Sequence, residues 1–351
     1  MIRRAAPVLC AAAVAVVAAS PAVWAQSVDS AERYCTPTDP GLSELSGMTV
    51  LDNTVYGMGD SGADDRVARL DVDCAVAQWL PNPVDPYDVE DLSSYDGFLW
   101  LADIGDNDRR RDSVALVRMD PAHGGAGELH RLTYPDGAHD AEALLIGSDG
   151  RPVIVTKDGL GTGGVYSIDT AVDNLPSPGP TPLRRVTDFA PTATTTPGGP
   201  PLLDGSRLVT GGAVSVDGTV AAVRTYTDLY LWPVNDGDVA EAMASPPSTV
   251  IALPPQPQGE SIAFTDDGDL LVGSEQGLDS SAALPPVQVL RDAVDRVSET
   301  PPAQAQSAEP DPDAPAEPTG SILIPLLAAA ASVGVVVVVT AFFLRRLFRS
   351  R

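Results

Sequence analysis

Residues 142–159 read EALLIGSDGRPVIVTKDG: an acidic residue, a short apolar run, an Asp-Gly turn, a second apolar run and a polar loop. Short β-prone runs joined by an Asp-Gly turn are typical of a β-hairpin. The same order of features returns in four other copies, which begin at Glu44, Glu90, Thr210 and Glu260. The first of these has Asp-Asn in place of Asp-Gly, and the copy at Thr210 lacks the acid. Five hairpins with one shared pattern indicate a repeat architecture.

The intervals between these hairpins suit the blades of a β-propeller. The starts of successive hairpins lie 46, 52, 68 and 50 residues apart. Each hairpin is followed by a third strand-like stretch, and four of the hairpins are also followed by a fourth such stretch. Four antiparallel strands in roughly 50 residues are typical of a propeller blade. We therefore predict an all-β fold, a β-propeller of about five four-stranded blades. A sixth blade and an irregular β-sandwich are the open alternatives.

Two segments lie outside the repeated pattern. The longest interval contains residues 175–201, which are rich in Pro, Gly and Thr and are predicted to form a loop inserted between blades. The segment before Glu44 is expected to supply an outer strand that closes the ring. The propeller is expected to occupy residues 27–298.

Composition and charge restrict the classes of protein. Of 351 residues, 44% are hydrophobic and 20% are charged, and the 33 Pro and 31 Gly exclude a helical bundle or coiled coil. All 48 acidic residues lie between residues 26 and 319, together with 16 of the 22 basic ones. This acidic segment excludes a nucleic-acid binder held by phosphate contacts and should concentrate cations near its surface.

The first 25 residues predict a secretory signal peptide. Arg3 and Arg4 precede an apolar run that ends in small residues, and cleavage is expected after Ala25. An uncleaved anchor is the alternative, although the run is shorter than the roughly 20 residues that a membrane span needs.

The other end of the chain predicts a membrane anchor. Residues 299–320 form a Pro-, Ala- and acid-rich spacer, and residues 321–344 are an uncharged apolar run long enough for a transmembrane helix. The basic tail at residues 345–351 is expected to stay in the cytoplasm. We therefore expect a single-pass cell-membrane protein with an extracellular ectodomain. Residues 316–320 also resemble a sortase sorting signal, so covalent wall attachment is the alternative.

Two cysteines remain after removal of the signal peptide. Cys35 and Cys74 are predicted to form one disulfide, because a lone pair in an oxidising compartment is most simply bonded. Free thiols are the alternative.

Acidic residues recur at one predicted end of the propeller. In a hairpin the start of the first strand and the end of the second lie at the same end, so the recurring glutamates should converge on one mouth of the central channel. Carboxylate oxygens in such number suit Ca²⁺ or Mg²⁺, and calcium is the expected cofactor. The predicted metal ligands are Glu44, Glu90, Asp103, Asp106, Glu142 and Glu260. The alternative is that these acids stabilise turns and cap backbone groups.

The sequence does not define catalytic residues but offers three candidates. His139 stands beside Asp140 and near Glu142 at a blade opening, where it would serve as a ligand or base or as an ordinary turn residue. Lys157 and Arg224 follow or end second strands and would bring positive charge to the same rim.

Several runs resemble a known group of proteins. They look like parts of exported actinobacterial β-propeller proteins related to the phytase-like and esterase-like propellers. The runs are DVEDLSS and LWLADIGDNDRRR, DAEAL and VTKDG, VTGGAVSVDG and VRTYTDLYLW, and QGESIAF and LLVGSE. The resemblance covers roughly residues 35–290. It implies rim carboxylates that bind calcium, at Glu90, Asp106, Glu142 and Glu260, and cations that hold phosphate, at Lys157 and Arg224. Five visible blades and Thr210 in place of an acid depart from that pattern.

Two classes of function follow. The first is a cell-surface binding module that captures a cation, a sugar or a protein partner at the acidic rim. The second is a calcium-dependent hydrolase of phosphoesters, esters or lactones at the same rim. A structural protein that spans the cell wall is a third, simpler reading. In each reading the membrane is contacted through the C-terminal helix.

Overall fold

The computed structural model describes residues 31–60, 62–278 and 281–297, and within them the chain forms five sheets, antiparallel except for one short edge strand. The inner strands of successive sheets contact one another in a closed ring, so the sheets are the blades of a five-bladed propeller. The predictions of an all-β propeller, of about five blades and of four-stranded blades are confirmed.

Each blade runs from an inner strand to an outer one. Blade 1 contains β2 (Leu45–Leu51), β3 (Thr54–Gly59), β4 (Arg66–Leu70) and β5 (Val76–Pro81). Blade 2 contains β6 (Asp91–Tyr95), β7 (Phe98–Asp103), β8 (Val114–Asp120) and β9 (Ala126–Thr133). Blade 3 contains β10 (Ala141–Ile146), β11 (Pro152–Thr156), β12 (Gly163–Ser167) and β14 (Arg184–Phe189). Blade 4 contains β15 (Val209–Val214), β16 (Val220–Thr225), β17 (Asp228–Pro233) and β18 (Thr249–Ala252). Blade 5 contains β19 (Gln258–Phe264), β20 (Leu270–Glu275), β21 (Val287–Leu290) and β1 (Glu32–Cys35).

Short helical segments occupy the connections. One α-helix, α1 (Val239–Met243), follows blade 4's third strand, and its N-terminus is capped by the Asp238 side chain. Single 3₁₀ turns lie at Pro40–Leu42, Pro121–His123, Val172–Asn174, Gly205–Arg207 and Val294–Arg296. No helix within the described residues is long and apolar enough to cross a membrane.

The turn between the first two strands of each blade lies where the sequence predicts it. Asp96 and Gly97 have φ values of 47° and 79° and join β6 to β7, with Tyr95 opposite Phe98. Asp and Gly tolerate positive φ, and a two-residue turn of this hand matches the twist of paired strands.

The N-terminal strand closes the ring. β1 pairs antiparallel with β21, so blade 5 combines strands from both ends of the described chain. The disulfide between Cys35 and Cys74, with Cα atoms 5.6 Å apart, then ties blade 5 to the β4–β5 turn of blade 1. The predicted disulfide is confirmed, and so is the closing strand.

Apolar cores lie between the blades. Each of five clusters of buried side chains draws its members from two neighbouring blades. Trp100 and Trp232 are the largest fully buried residues of two of these clusters. Burial of such a side chain contributes roughly 1.5–3 kcal/mol, so contact between blades stabilises the ring.

The predicted insertion at residues 175–201 is only partly a loop. β13 (Thr181–Pro182) adds a short parallel strand to the outer edge of blade 2, and β14 supplies the outer strand of blade 3. Residues 190–208 then lead to blade 4. The predicted signal peptide, spacer, transmembrane helix and tail lie outside the described residues.

Candidate functional site: the acidic mouth

Carboxylates gather at the end of the propeller where the inner strands begin. Glu44 and Glu90 stand immediately before β2 and β6, while Glu142 and Glu260 are the second and third residues of β10 and β19. We call this end the acidic mouth, defined by Glu44, Asp60, Asp88, Glu90, Asp140, Glu142, Glu260 and Glu275. Glu90 interacts electrostatically with Glu142, Glu142 with Glu260, and Glu275 with both Glu260 and Glu44. The glutamates therefore face one another across the channel.

Two trios of carboxylates are close enough to share one ion. Asp60, Asp88 and Glu90 form the first trio, and Glu90, Asp140 and Glu142 form the second. Within each trio one oxygen from every residue lies within 4.8 Å of the others. Glu90 is common to both, so the two trios together contain five carboxylates.

Residues close to the trios in sequence and in space position their carboxylates. Asp88 and Asp140 each precede a glutamate by two residues, in the runs DVE and DAE. Asp140 Oδ1 accepts the N–H of Asp106 at 2.9 Å, which fixes one trio to the loop after β7. In that loop Gly105 lies so close that a Cβ there would fall 2.1 Å from Glu90 Oε1. A side chain at this position would displace the carboxylates of Glu90 and Asp88.

The environment of Glu90 is unfavourable to negative charge. Burial raises the pKa of its carboxyl well above the usual range, and the repulsion of Asp60, Glu142, Asp88 and Asp140 adds to the effect. Its strongest charged neighbours are all carboxylates. Without a cation in their midst, such groups hold protons at a pH where a free glutamate is ionised.

Glu260 and Glu275 form a second, adjacent pair. Their side chains share a hydrogen bond, and Gln258 Nε2 donates to Glu275 Oε2. Burial, followed by repulsion from Glu260, raises the pKa of Glu275 well above its usual range. Two buried carboxyl groups so close cannot both ionise, so they share one proton.

Lys157 lies at the edge of the mouth. Its ammonium donates to Glu142 Oε1 at 2.7 Å and to the hydroxyl of Tyr226 at 3.1 Å. Burial alone would lower the pKa of Lys157, but the attraction of Glu142, Tyr226 and Glu260 holds it well above the usual range. Lys157 is therefore a permanent cation beside the second trio, and 19% of its side chain is exposed.

Arg224 occupies a different position from Lys157. Its guanidinium is fully buried between blades 4 and 5, where it donates to the carbonyls of Ser261 and Gly273 and to Gln256 Oε1. Burial lowers its pKa to about 9, so the group remains charged at neutral pH. These contacts join two blades. The role of Arg224 in holding a phosphate stays a prediction.

The carboxylate of Asp103, a predicted metal ligand, is engaged in an ion pair and hydrogen bonds with other residues near the mouth. It pairs with Arg111 at 2.8 Å and accepts the backbone N–H groups of Tyr87 and Asp88. In this way Asp103 holds the chain that carries the first trio. Its role as a ligand stays a prediction.

Asp106 is similarly engaged. Its two oxygens accept the N–H groups of Arg110 and Arg111 at 2.9 and 2.8 Å, which closes the turn after β7. Of the predicted ligands, Glu90 and Glu142 fall within the trios. Glu44 is half-buried at the same end, before β2, and Glu260 pairs with Glu275.

His139 belongs to an aromatic cluster outside the two trios. Its Nε2 lies 3.0 Å from Asp136 Oδ1 and 3.0 Å from the Tyr166 hydroxyl, and its ring packs edge-on against Tyr134. Arg185 completes the cluster by pairing with Asp136. The neighbouring residue, not His139 itself, enters the second trio.

Asp91, directly after Glu90, joins the inner strands of three blades. Its buried carboxylate accepts the N–H groups of Leu92 and Leu144 at 2.8 Å and of Gly212 at 3.1 Å. These donors lie on the inner strands of blades 2, 3 and 4. Neither Asp91 nor Asp88 is among the predicted ligands, although the repeated Asp-x-Glu pattern at residues 88–90 and 140–142 could have identified Asp88.

No protein-family model and no curated protein matches the chain. Among solved structures, it is similar to a luciferin-regenerating enzyme, with 15% identity over 70% of this chain and 76% of that one and a TM-score of 0.40. An aldose sugar dehydrogenase from Streptomyces coelicolor, in its PQQ-bound form, shows 11% identity over 76% and 98% with a TM-score of 0.41. A streptogramin B lyase shows 12% identity over 70% and 64% with a TM-score of 0.33. These likenesses are too distant to indicate an activity.

Proposed function

We propose that the acidic mouth binds a divalent cation, and that the ion is calcium. The observation that carries the proposal is the position of Glu90, which is buried, belongs to both carboxylate trios and has other carboxylates as its strongest charged neighbours. A cation between the trios would neutralise this charge. It would also replace the protons that the carboxyl groups otherwise hold.

The donor atoms favour calcium over a transition metal. The trios offer oxygen atoms alone, which suit hard cations, and five carboxylates approach the six to eight oxygen ligands of Ca²⁺. A bound ion at the open end of the channel would itself be a positive anchor for an anionic ligand. We propose that the protein captures an extracellular ligand or protein partner in this way.

The location of the protein is part of the same proposal. The basic, apolar N-terminal run, the apolar run at residues 321–344 and the basic tail favour an exported propeller held at the cell membrane by one C-terminal helix. Cysteines joined in a disulfide agree with an oxidising compartment. Protease treatment of intact cells should degrade the propeller and spare the tail, and a protected propeller would refute this location.

Calorimetric titration of the full-length protein with calcium chloride tests the metal site. We expect saturable binding to the wild-type chain and a loss of at least about tenfold in affinity for Glu90→Gln, since one ligand shared by both trios is removed. Glu128→Gln is the matched control, because Glu128 lies on outer strand β9. It should bind as the wild type does.

Two results would refute the metal site. One is a wild-type protein that binds no calcium and whose melting temperature ignores added calcium. The other is a Glu90→Gln variant with wild-type affinity.

A calcium-dependent hydrolase is the second candidate function, and the position of Lys157 favours it. An ammonium and the Tyr226 hydroxyl stand beside the second trio, where they could hold the phosphate of a phosphoester or the carbonyl oxygen of an ester or lactone. Calcium, when bound, would supply an electrophile for the substrate oxygen. A panel of these substrates should reveal turnover that disappears with EDTA and with Lys157→Met. Calcium binding without turnover on any substrate would reject the hydrolase and leave the binding function.

A further inference from the structure

Three exposed leucines lie on two loops at the end of the propeller that carries the acidic mouth. Leu160 is 84% exposed on the turn after β11, and Leu202 and Leu203 are 79% and 49% exposed on the segment that leads to β15. None of them belongs to the apolar cores between the blades. We call these three residues the leucine patch. Exposed apolar side chains that gather on one surface are typical of a binding site.

A cation lies between the two loops that carry the leucine patch. Arg207 is on the same segment as Leu203, in the 3₁₀ turn that precedes β15. Its guanidinium packs on Gly161, the residue after Leu160, so closely that a Cβ on Gly161 would fall 2.6 Å from Arg207 Nε. The guanidinium therefore joins the two loops at the leucine patch.

The Arg207 guanidinium has no carboxylate partner. Within the part of the chain that the structure describes it forms no ion pair, although the sequence has 48 acidic residues against 22 basic ones. A guanidinium stays charged and presents a planar fork of N–H donors that matches the two oxygens of a carboxylate. The half-buried guanidinium is therefore open to an anion from outside the protein.

The turn that carries Leu202 is strained. Leu203 donates its N–H to the carbonyl of Pro200 at 3.4 Å, and the φ of Leu202 between them is 74°. A positive φ at the third residue of a turn favours glycine, and a bulky side chain is uncommon there. Strain of this kind is typical of functional sites. Here it holds an apolar side chain out toward solvent.

We propose that Arg207 and the leucine patch bind an amphipathic anion, a carboxylate that carries an alkyl chain. The carboxylate accepts N–H groups of the guanidinium, and the alkyl chain lies against the leucines. The positive charge defines the head group of the ligand, and the exposed leucines define its tail. The proposal does not depend on calcium binding at the acidic mouth.

A small ligand fits this surface better than a lipid bilayer does. The carboxylates of the acidic mouth lie at the same end of the propeller, and an anionic membrane surface brought against that end would repel them. A single small anion approaches the two loops without bringing a surface of like charge to the mouth.

Calorimetry on the full-length protein in EDTA, with sodium octanoate as the probe, tests the proposal. We expect one octanoate ion bound per chain. Butyrate has the same head group with a shorter tail, and 1-octanol has the same tail without the charge. Each should bind at least about tenfold more weakly than octanoate, because it lacks one of the two contacts.

Two variants separate the tail contact from the head-group contact. Leu202→Gly should weaken octanoate binding severalfold while the melting temperature stays at or above the wild-type value, because glycine adopts a φ of 74° without strain. Arg207→Gln should abolish the preference for octanoate over 1-octanol, a change that a merely structural role of Arg207 would not produce.

Each variant has a matched control. Val72→Ala removes another exposed apolar side chain, 83% exposed on the β4–β5 turn at the opposite end of the propeller. Arg131→Gln removes another arginine, which is exposed on outer strand β9. Both controls should bind octanoate as the wild type does.

Several results would overturn the proposal. They are no saturable binding of octanoate up to about 10 mM, the range of very weak affinity; equal affinity for butyrate; and wild-type affinity in both Leu202→Gly and Arg207→Gln. Adsorption of the protein to lipid vesicles that Leu202→Gly abolishes, without binding of free octanoate, would show a membrane contact instead. A dimer in light scattering that Leu202→Gly dissociates and octanoate does not would show a self-association surface instead.

Discussion

Asp91 joins three blades through one side chain. Its carboxylate accepts N–H groups from inner strands of blades 2, 3 and 4. Buried N–H groups without an acceptor are costly. The residue thus supports the geometry on which the acidic mouth depends.

Asp91→Ala should lower the free energy of unfolding by about 2–4 kcal/mol, because three buried donors lose their acceptor. Urea denaturation measures the change. Asp71→Ala is the control: Asp71 also accepts two N–H groups, from Asp73 and Ala75, but in an exposed turn. An Asp91→Ala variant as stable as the control would contradict this role.

The carboxyl groups of the mouth should make the calcium-free protein less stable as pH rises. Burial and mutual repulsion raise the pKa of Glu90 and Glu275 above their values in the unfolded chain, so the folded state holds these protons more tightly. Their stabilising effect is complete below about pH 4, near the pKa of a free glutamate, and is lost as pH rises through the folded pKa values.

Thermal unfolding in EDTA between pH 4 and 8 tests whether the stability of the calcium-free protein falls as pH rises. This pH range brackets the ordinary pKa of glutamate. Calcium should restore the stability lost at high pH, and Glu90→Gln should flatten the profile. A calcium-free protein that becomes more stable as pH rises through this range would contradict the account.

At the scale of elements, the hairpins were predictable because their signals are local. Asp-Gly turns, or Asp-Asn in blade 1, and short apolar runs mark each blade, and hairpin geometry alone places Glu90 and Glu142 at one end of the ring. The sequence could not show which face of a strand a side chain occupies. Arg224, on β16, therefore was expected at the rim but reaches the carbonyls of blade 5.

Distance along an extended chain explains the position of His139. It precedes Glu142 by three residues, which corresponds to roughly 10 Å in an extended backbone. Its ring packs with Tyr134 and Tyr166, while Asp140, two residues before Glu142, reaches the trio. Closeness to Glu142 in the sequence does not bring His139 to the trio, because alternate residues of a strand point to opposite faces.

The β7–β8 loop offers a test of how closely the mouth is packed. In Gly105→Ala the added methyl group would lie 2.1 Å from Glu90 Oε1 and 2.7 Å from Asp88, so the carboxylates must shift. Calorimetry should show at least about tenfold weaker calcium binding. Gly159→Ala, in the loop after β11 with no atom within 4 Å of the added Cβ, should bind normally. Equal affinities would contradict the proposed packing.

At the scale of the molecule, closure of the ring depends on joining the first described strand to the last blade. β1 pairs with β21, and Cys35 is bonded to Cys74 of blade 1 across a separation of 39 residues. The sequence predicted this link because the two cysteines have no other partner after the signal peptide. The blade number needed the structure, since the closing strand carries no part of the repeated pattern.

Removal of the disulfide should destabilise the whole propeller. Cys35→Ser/Cys74→Ser is expected to lower the free energy of unfolding by about 3–4 kcal/mol, because the unfolded chain gains freedom when the loop is opened. Urea denaturation under non-reducing conditions measures the loss, and reduced wild-type protein should match the variant. An unchanged stability would show that pairing of β1 with β21 closes the ring by itself.

We propose that one calcium ion binds among the carboxylates around Glu90. Diffraction from crystals of the full-length protein equilibrated with calcium tests it most directly. We predict density for one ion with Glu90 and members of both trios as oxygen ligands at about 2.3–2.6 Å. A mouth whose carboxylates stay bonded to one another and hold no ion at saturating calcium would contradict the claim.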